Sequence, residues 1–124
     1  MLMSDLMRQT LQRSGMTAVD STYRALRKEY YGSHTFDFSE MMLVHLAMNV
    51  SEENDSTALK LLALNREFNP TSWFNEWATG QIFAEMGDTA SAITALEKAV
   101  ELNPNSRRAK RDLDMLKGGE QKKP

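Results

Sequence analysis

The chain has 124 residues, 41% of them hydrophobic and 26% charged, with a net charge of −2 and no cysteine. Such a length suits one domain, and a charge fraction near the globular average speaks against wholesale disorder. The missing cysteine excludes a disulfide framework, thiolate zinc sites and a cysteine nucleophile.

Seven amphipathic helices can be read in chain order. The first spans about Asp5 to Arg13, with Leu6, Met7 and Leu11 on one face and Ser4 as its cap; Gly15 stops it. Met1 and Met3 read as mere terminus. The second opens at the capping-box pattern Thr17-Ala18-Val19-Asp20, carries Val19, Tyr23, Leu26 and Tyr30, and ends at Gly32. The third follows Ser39 and places Met42, Leu43, Leu46, Ala47 and Val50 on its apolar stripe. After the acidic turn Ser51 to Asp55, the fourth runs to Phe68 with Ala58, Leu61, Leu62 and Asn65 in phase. Asn69-Pro70 ends it, because proline disfavours helical backbone in the residue before it. The fifth opens at Ser72 with Trp73, Trp77, Gly80 and Phe83; Gly87 punctuates, and Asp88 is placed to cap the sixth. That sixth helix carries Ala92, Ile93, Leu96, Ala99 and Val100 and stops at Asn103-Pro104. The seventh covers Arg107 to Lys117, and residues 118–124 read as a disordered tail.

The small net charge hides a segregation. Residues 1–36 hold five basic and three acidic side chains, residues 37–101 three and eleven, and residues 107–123 seven and three. The acidic middle argues against nucleic acid as a partner. No apolar run reaches the ~20 residues of a membrane span. Asp5 and Arg8 make the N-terminus unlike a signal peptide, so no membrane and a cytoplasmic location are expected.

Sliding the chain on itself by 34 residues aligns Thr57 to Leu62 with Ser91 to Leu96. It also aligns Glu67, Asn69, Pro70 and Ser72 with Glu101, Asn103, Pro104 and Ser106. A helix-turn-helix unit of that period is the tetratricopeptide signature. The stretch 73–106 resembles such a repeat clearly, with Gly80, Phe83, Gly87, Ala92, Leu96, Ala99 and Pro104 at the family's spacings. Trp77 stands one residue later than the family's usual Trp, and Thr79 replaces the usual Leu. The stretch 39–72 is degenerate: it keeps Ala58, Leu62 and Pro70, but Leu46 and Asn49 replace a small and an aromatic residue. A fainter unit spans about 5–32, where Val19, Tyr23 and Leu26 repeat the spacing of Ala58, Leu62 and Asn65. The implied fold is all-α, a helix-hairpin solenoid in one domain over 1–117, with 107–117 as a capping helix. The order Phe38-Ser39-Glu40, Asn65, Phe68 to Ser72, Gly87-Asp88 and Leu102 to Pro104 is also similar to a repeat module at the C-terminus of some bacterial serine hydrolases. In those proteins the catalytic residues lie upstream of the module.

No catalytic motif stands out. Ser-x-x-Lys and Gly-x-Ser-x-Gly are absent. His45 reads as a packed or half-exposed histidine and His34 as a solvated turn residue. Glu52-Glu53-Asn54-Asp55 lacks the alternating oxygens and central glycine of a calcium loop. The expectation is therefore no enzyme, no metal and no cofactor.

Resemblance to the tetratricopeptide family implies a groove lined by the first helix of each repeat. It nominates Glu40, Leu43 and Ala47, then Phe74, Trp77 and Gln81, then Arg108 and Arg111. The expected function is binding of a peptide or protein partner. Self-association, for instance as a homodimer, and service as an accessory domain of a serine hydrolase are the alternatives.

Overall fold

Helix propensity and turn chemistry decide the architecture. The computed structural model describes residues 2–31 and 38–121, and every regular element among them is an α-helix. In order these are α1 (Met3–Tyr30), α2 (Glu40–Val50), α3 (Asp55–Phe68), α4 (Trp73–Glu85), α5 (Thr89–Leu102) and α6 (Arg107–Gln121). None is long and apolar enough to cross a membrane. The chain is described as two compact units, Met1–Leu64 and Asn65–Pro124.

In the first unit, the two helices expected before residue 32 run into one another across a kink and are described together as α1. Their boundary survives as a break inside α1: Gly15 sits at φ 85° and ψ 179°. Only glycine enters that region readily. The helix resumes at once after Gly15, so the second stretch starts ahead of Thr17 and holds Thr17 to Asp20 inside it. Likewise Ser4 lies within the first turn, and Leu2 occupies the cap position without a side-chain bond. Met3 and Met7, then Val19 and Tyr23, are buried at four-residue spacing on either side of the break. Met3 is thus core and not a loose terminus. Arg27 ties the end of α1 to the chain entering α2. It donates to the Tyr23 hydroxyl at 3.1 Å and the Phe38 carbonyl at 3.3 Å, and its guanidinium lies 4.3 Å from the centre of the Tyr31 ring. Met42, Leu43, Val44, Leu46 and Ala47 of α2 are all buried. Gly32 and His34 lie outside the described residues.

The second unit contains the α4–α5 hairpin and α6, which packs on α5. Gly80 makes the hairpin close. A Cβ there would stand 2.8 Å from Leu96 Cγ and 3.3 Å from the Ala92 carbonyl oxygen. The turn at its tip is a Schellman closure: the Asp88 N–H donates to the Phe83 carbonyl at 2.9 Å, the Gly87 N–H to the Ala84 carbonyl at 3.1 Å, and Gly87 takes φ 83°.

Hydrogen bonding at the helix ends recurs every 34 residues. Asn54 Oδ1 accepts from the Thr57 N–H at 2.9 Å, and Asp88 Oδ1 accepts from the Ser91 N–H at 3.1 Å. The Ser72 N–H donates to the Asn69 carbonyl while its hydroxyl oxygen accepts from the Asn75 N–H; Ser106 does the same with Asn103 and Ala109. Both serines are buried. Helix α6 runs four residues past its expected end at Lys117, through Gly118 and Gly119, so the first part of the expected tail is helical.

Candidate functional site

Phe74, Trp77 and Gln81 fall at spacings of three and four on α4, which puts them on one helix face. All three are half-buried. Three large rings within five residues cannot all enter one core, and here they stack along the helix instead. Trp73 meets Phe74 edge-on at 5.4 Å, and Phe74 lies tilted against Trp77 at 5.0 Å.

The opposing wall comes from α6. The Trp77 indole N–H donates to Asp112 Oδ2 at 2.8 Å, and the Gln81 amide donates to the same oxygen at 2.9 Å. Arg108, one turn before Asp112, holds its guanidinium 5.1 Å from the centre of the Trp77 ring. Such a contact contributes about 0.5–1 kcal/mol at an exposed site. Arg111 lies 3.9 Å from Asp112 Oδ1, with its side chain 71% exposed. Beyond this cluster is a shallow cleft of about 140 Å³ between Gln81, Ala84, Asp112, Met115 and Leu116. The Met115 side chain stands out at its edge, 68% exposed. Asp112 therefore has its two donors and Arg111 beside it, whereas Arg107, Arg108 and Lys110 have no ion-pair partner among the described residues. The face presents rings, amide and cations together.

Of the eight residues nominated from sequence, five belong to the second unit. Phe74, Trp77, Gln81 and Arg108 meet around Asp112, with Arg111 at the margin. The other three lie on α2 in the first unit. Leu43 and Ala47 are wholly buried and offer no side-chain surface, while Glu40 is exposed. Burial follows from the apolar stripe of α2, whose packing positions include both. Asp112 is the residue that sequence reasoning missed. Its only signal was one acid set four residues after Arg108 inside a basic run.

A second polar cluster joins the end of α3 to α4. The Asn65 amide donates to Asn75 Oδ1 at 2.9 Å, and the Asn69 amide donates to Asn65 Oδ1 at 3.0 Å. Arg66 donates to both carboxylate oxygens of Glu76, at 2.6 and 3.2 Å, and to the Thr79 hydroxyl at 3.2 Å. Glu76 is 7% exposed. These groups satisfy one another and so hold the junction. His45 is exposed on α2. Among the described residues no group of three or more His, Asp or Glu side chains is placed to hold a metal ion.

No protein-family model matches the chain, and no curated protein matches it.

Proposed function

We propose that the chain is a non-catalytic interaction module of the tetratricopeptide type, a helix-hairpin solenoid that takes a peptide or protein partner on the face of α4 and α6. The observation that supports this reading most is the 34-residue recurrence of the Asn-Pro turn and serine cap before α4 and α6. On this reading α4 and α6 are the first helices of successive units, the helices that line the groove in that family. Their shared face offers what a protein-recognition surface uses, namely large rings beside an arginine. The reading includes no hydrolase activity, no cofactor and a cytoplasmic location.

Selection from a displayed peptide library tests it. Peptides enriched on the wild-type chain should lose at least about tenfold in affinity on Arg108→Glu or Phe74→Ala, as a contact at the centre of an interface does. Failure to enrich any peptide, or enriched peptides indifferent to both changes, would refute the proposal. Turnover of an activated ester above background, abolished by a single Ser→Ala change, would refute its non-catalytic part.

A further inference from the structure

The first unit contains a cleft of about 420 Å³ that the interaction surface on α4 and α6 does not use. Its volume lies within the ~300–1,000 Å³ of small-molecule sites. Residues on both sides of the break in α1 line it, Arg8 and Leu11 before Gly15 and Met16 after it. Val50 and Glu53, from the end of α2 and the turn beyond, face them.

Three observations bear on what such a cleft would take. First, it carries opposite charges that are little used. Arg8 pairs with Asp5 at 3.8 Å, an exposed pair of small energetic weight. Glu53 has no ion pair among the described residues. Second, Leu11, Met16 and Val50 supply an apolar lining to the same cleft. Third, the backbone at Gly15 holds a conformation close to glycine-only, and nothing lies within 4 Å of the position a Cβ would take. Packing therefore does not require this glycine; the break itself does, and it sets the two lengths of α1 that line the cleft.

We infer that this cleft binds a small zwitterion with an apolar body, of the amino-acid or short-peptide class, with its carboxylate on Arg8 and its ammonium on Glu53. A simple anion would meet the Glu53 carboxylate and a simple cation the Arg8 guanidinium, so each is disfavoured by one of the two walls. A ligand carrying both charges satisfies both. The proposal is independent of the peptide surface on α4 and α6.

The test uses the full chain and three probes: L-leucyl-L-leucine, its N-acetyl derivative and its C-terminal amide, each titrated to 20 mM by calorimetry and by amide chemical shifts. The free dipeptide should bind saturably, and each blocked form should bind about tenfold or more weakly, as expected when a charge-assisted hydrogen bond is removed. Arg8→Met should abolish the preference over the amide, and Glu53→Gln the preference over the acetyl form. Both positions are exposed, and unchanged melting curves would show that the variants fold. No saturable binding by the wild-type chain, or equal binding of all three probes, would overturn the proposal without reference to any variant.

Discussion

Gly80 shows how much a single side chain can decide. Its missing Cβ would stand 2.8 Å from Leu96 Cγ, and Leu96 is itself fully buried and has nowhere to retreat. Gly80→Leu should gain up to ~1 kcal/mol of helix propensity but lose about 1–3 kcal/mol or more to overpacking, so the net effect is destabilising. A melting temperature raised by this change would refute the close approach. Asp112 behaves differently. Asp112→Ala strips one acceptor from both Trp77 and Gln81, yet these groups are half-buried and water can replace part of the loss. The expected cost is about 1 kcal/mol, and a double-mutant cycle with Trp77→Phe should return a coupling of ~0.5–1.5 kcal/mol. Additivity of the two changes would show that the hydrogen bond contributes nothing. Gly80 was legible in the sequence because its consequence is local and periodic: a glycine facing Ala92 and Leu96 at the repeat spacing. Asp112 was not, because its partners lie 35 and 31 residues away on another helix. No periodicity within α6 reveals such a pairing.

Helix ends were the most readable elements, since proline, glycine and capping side chains act over three or four residues. Asn69-Pro70, Gly87-Asp88 and Asn103-Pro104 all mark real boundaries. Glycine was a mixed stop signal. Gly15 breaks the helical backbone, so that α1 is two helical stretches meeting at a kink, whereas Gly118 lies within α6. The caps give a graded set of predictions. Ser72→Ala and Ser106→Ala should each cost about 0.5–2 kcal/mol, because each removes an acceptor from a buried backbone N–H. Thermal melting of the two variants checks this, and no change in either would count against capping. Asp88 adds a dependence on pH. Hydrogen bonds from Ser91, first through its side chain and then through its backbone N–H, hold the Asp88 carboxyl below its ordinary value of 3.8. A carboxyl lowered on folding stabilises the fold above its unfolded value, and that contribution is lost as pH falls through the folded one. Asp88→Asn keeps a capping oxygen without the charge. The melting difference between wild type and variant should therefore be constant from pH 7 to 5 and shrink below about pH 4. A difference that grew on acidification would contradict the assignment.

At the scale of the whole molecule, two requirements meet on one helix. α4 closes the hairpin at Gly80, which is buried against Leu96 and Ala92, and exposes part of Phe74, Trp77 and Gln81. Trp77 belongs to both faces. Its indole N–H is held by Asp112, while Arg108 lies over the ring. Truncating a fully buried Trp costs about 3–5 kcal/mol. Half-burial and a single intramolecular hydrogen bond place Trp77→Ala nearer 1–2 kcal/mol, a loss that should leave the far-ultraviolet helical signal intact at 25 °C. The same change should weaken a selected peptide by more than about 2 kcal/mol, because a rigid ring beside an arginine is the type of group on which interfaces depend most. Melting and peptide titration of one variant thus separate the two roles. A fall in melting temperature as large as that of Gly80→Leu, with peptide affinity unchanged, would assign Trp77 to the fold alone. The α4–α6 face would then hold the hairpin and α6 together and recognise nothing.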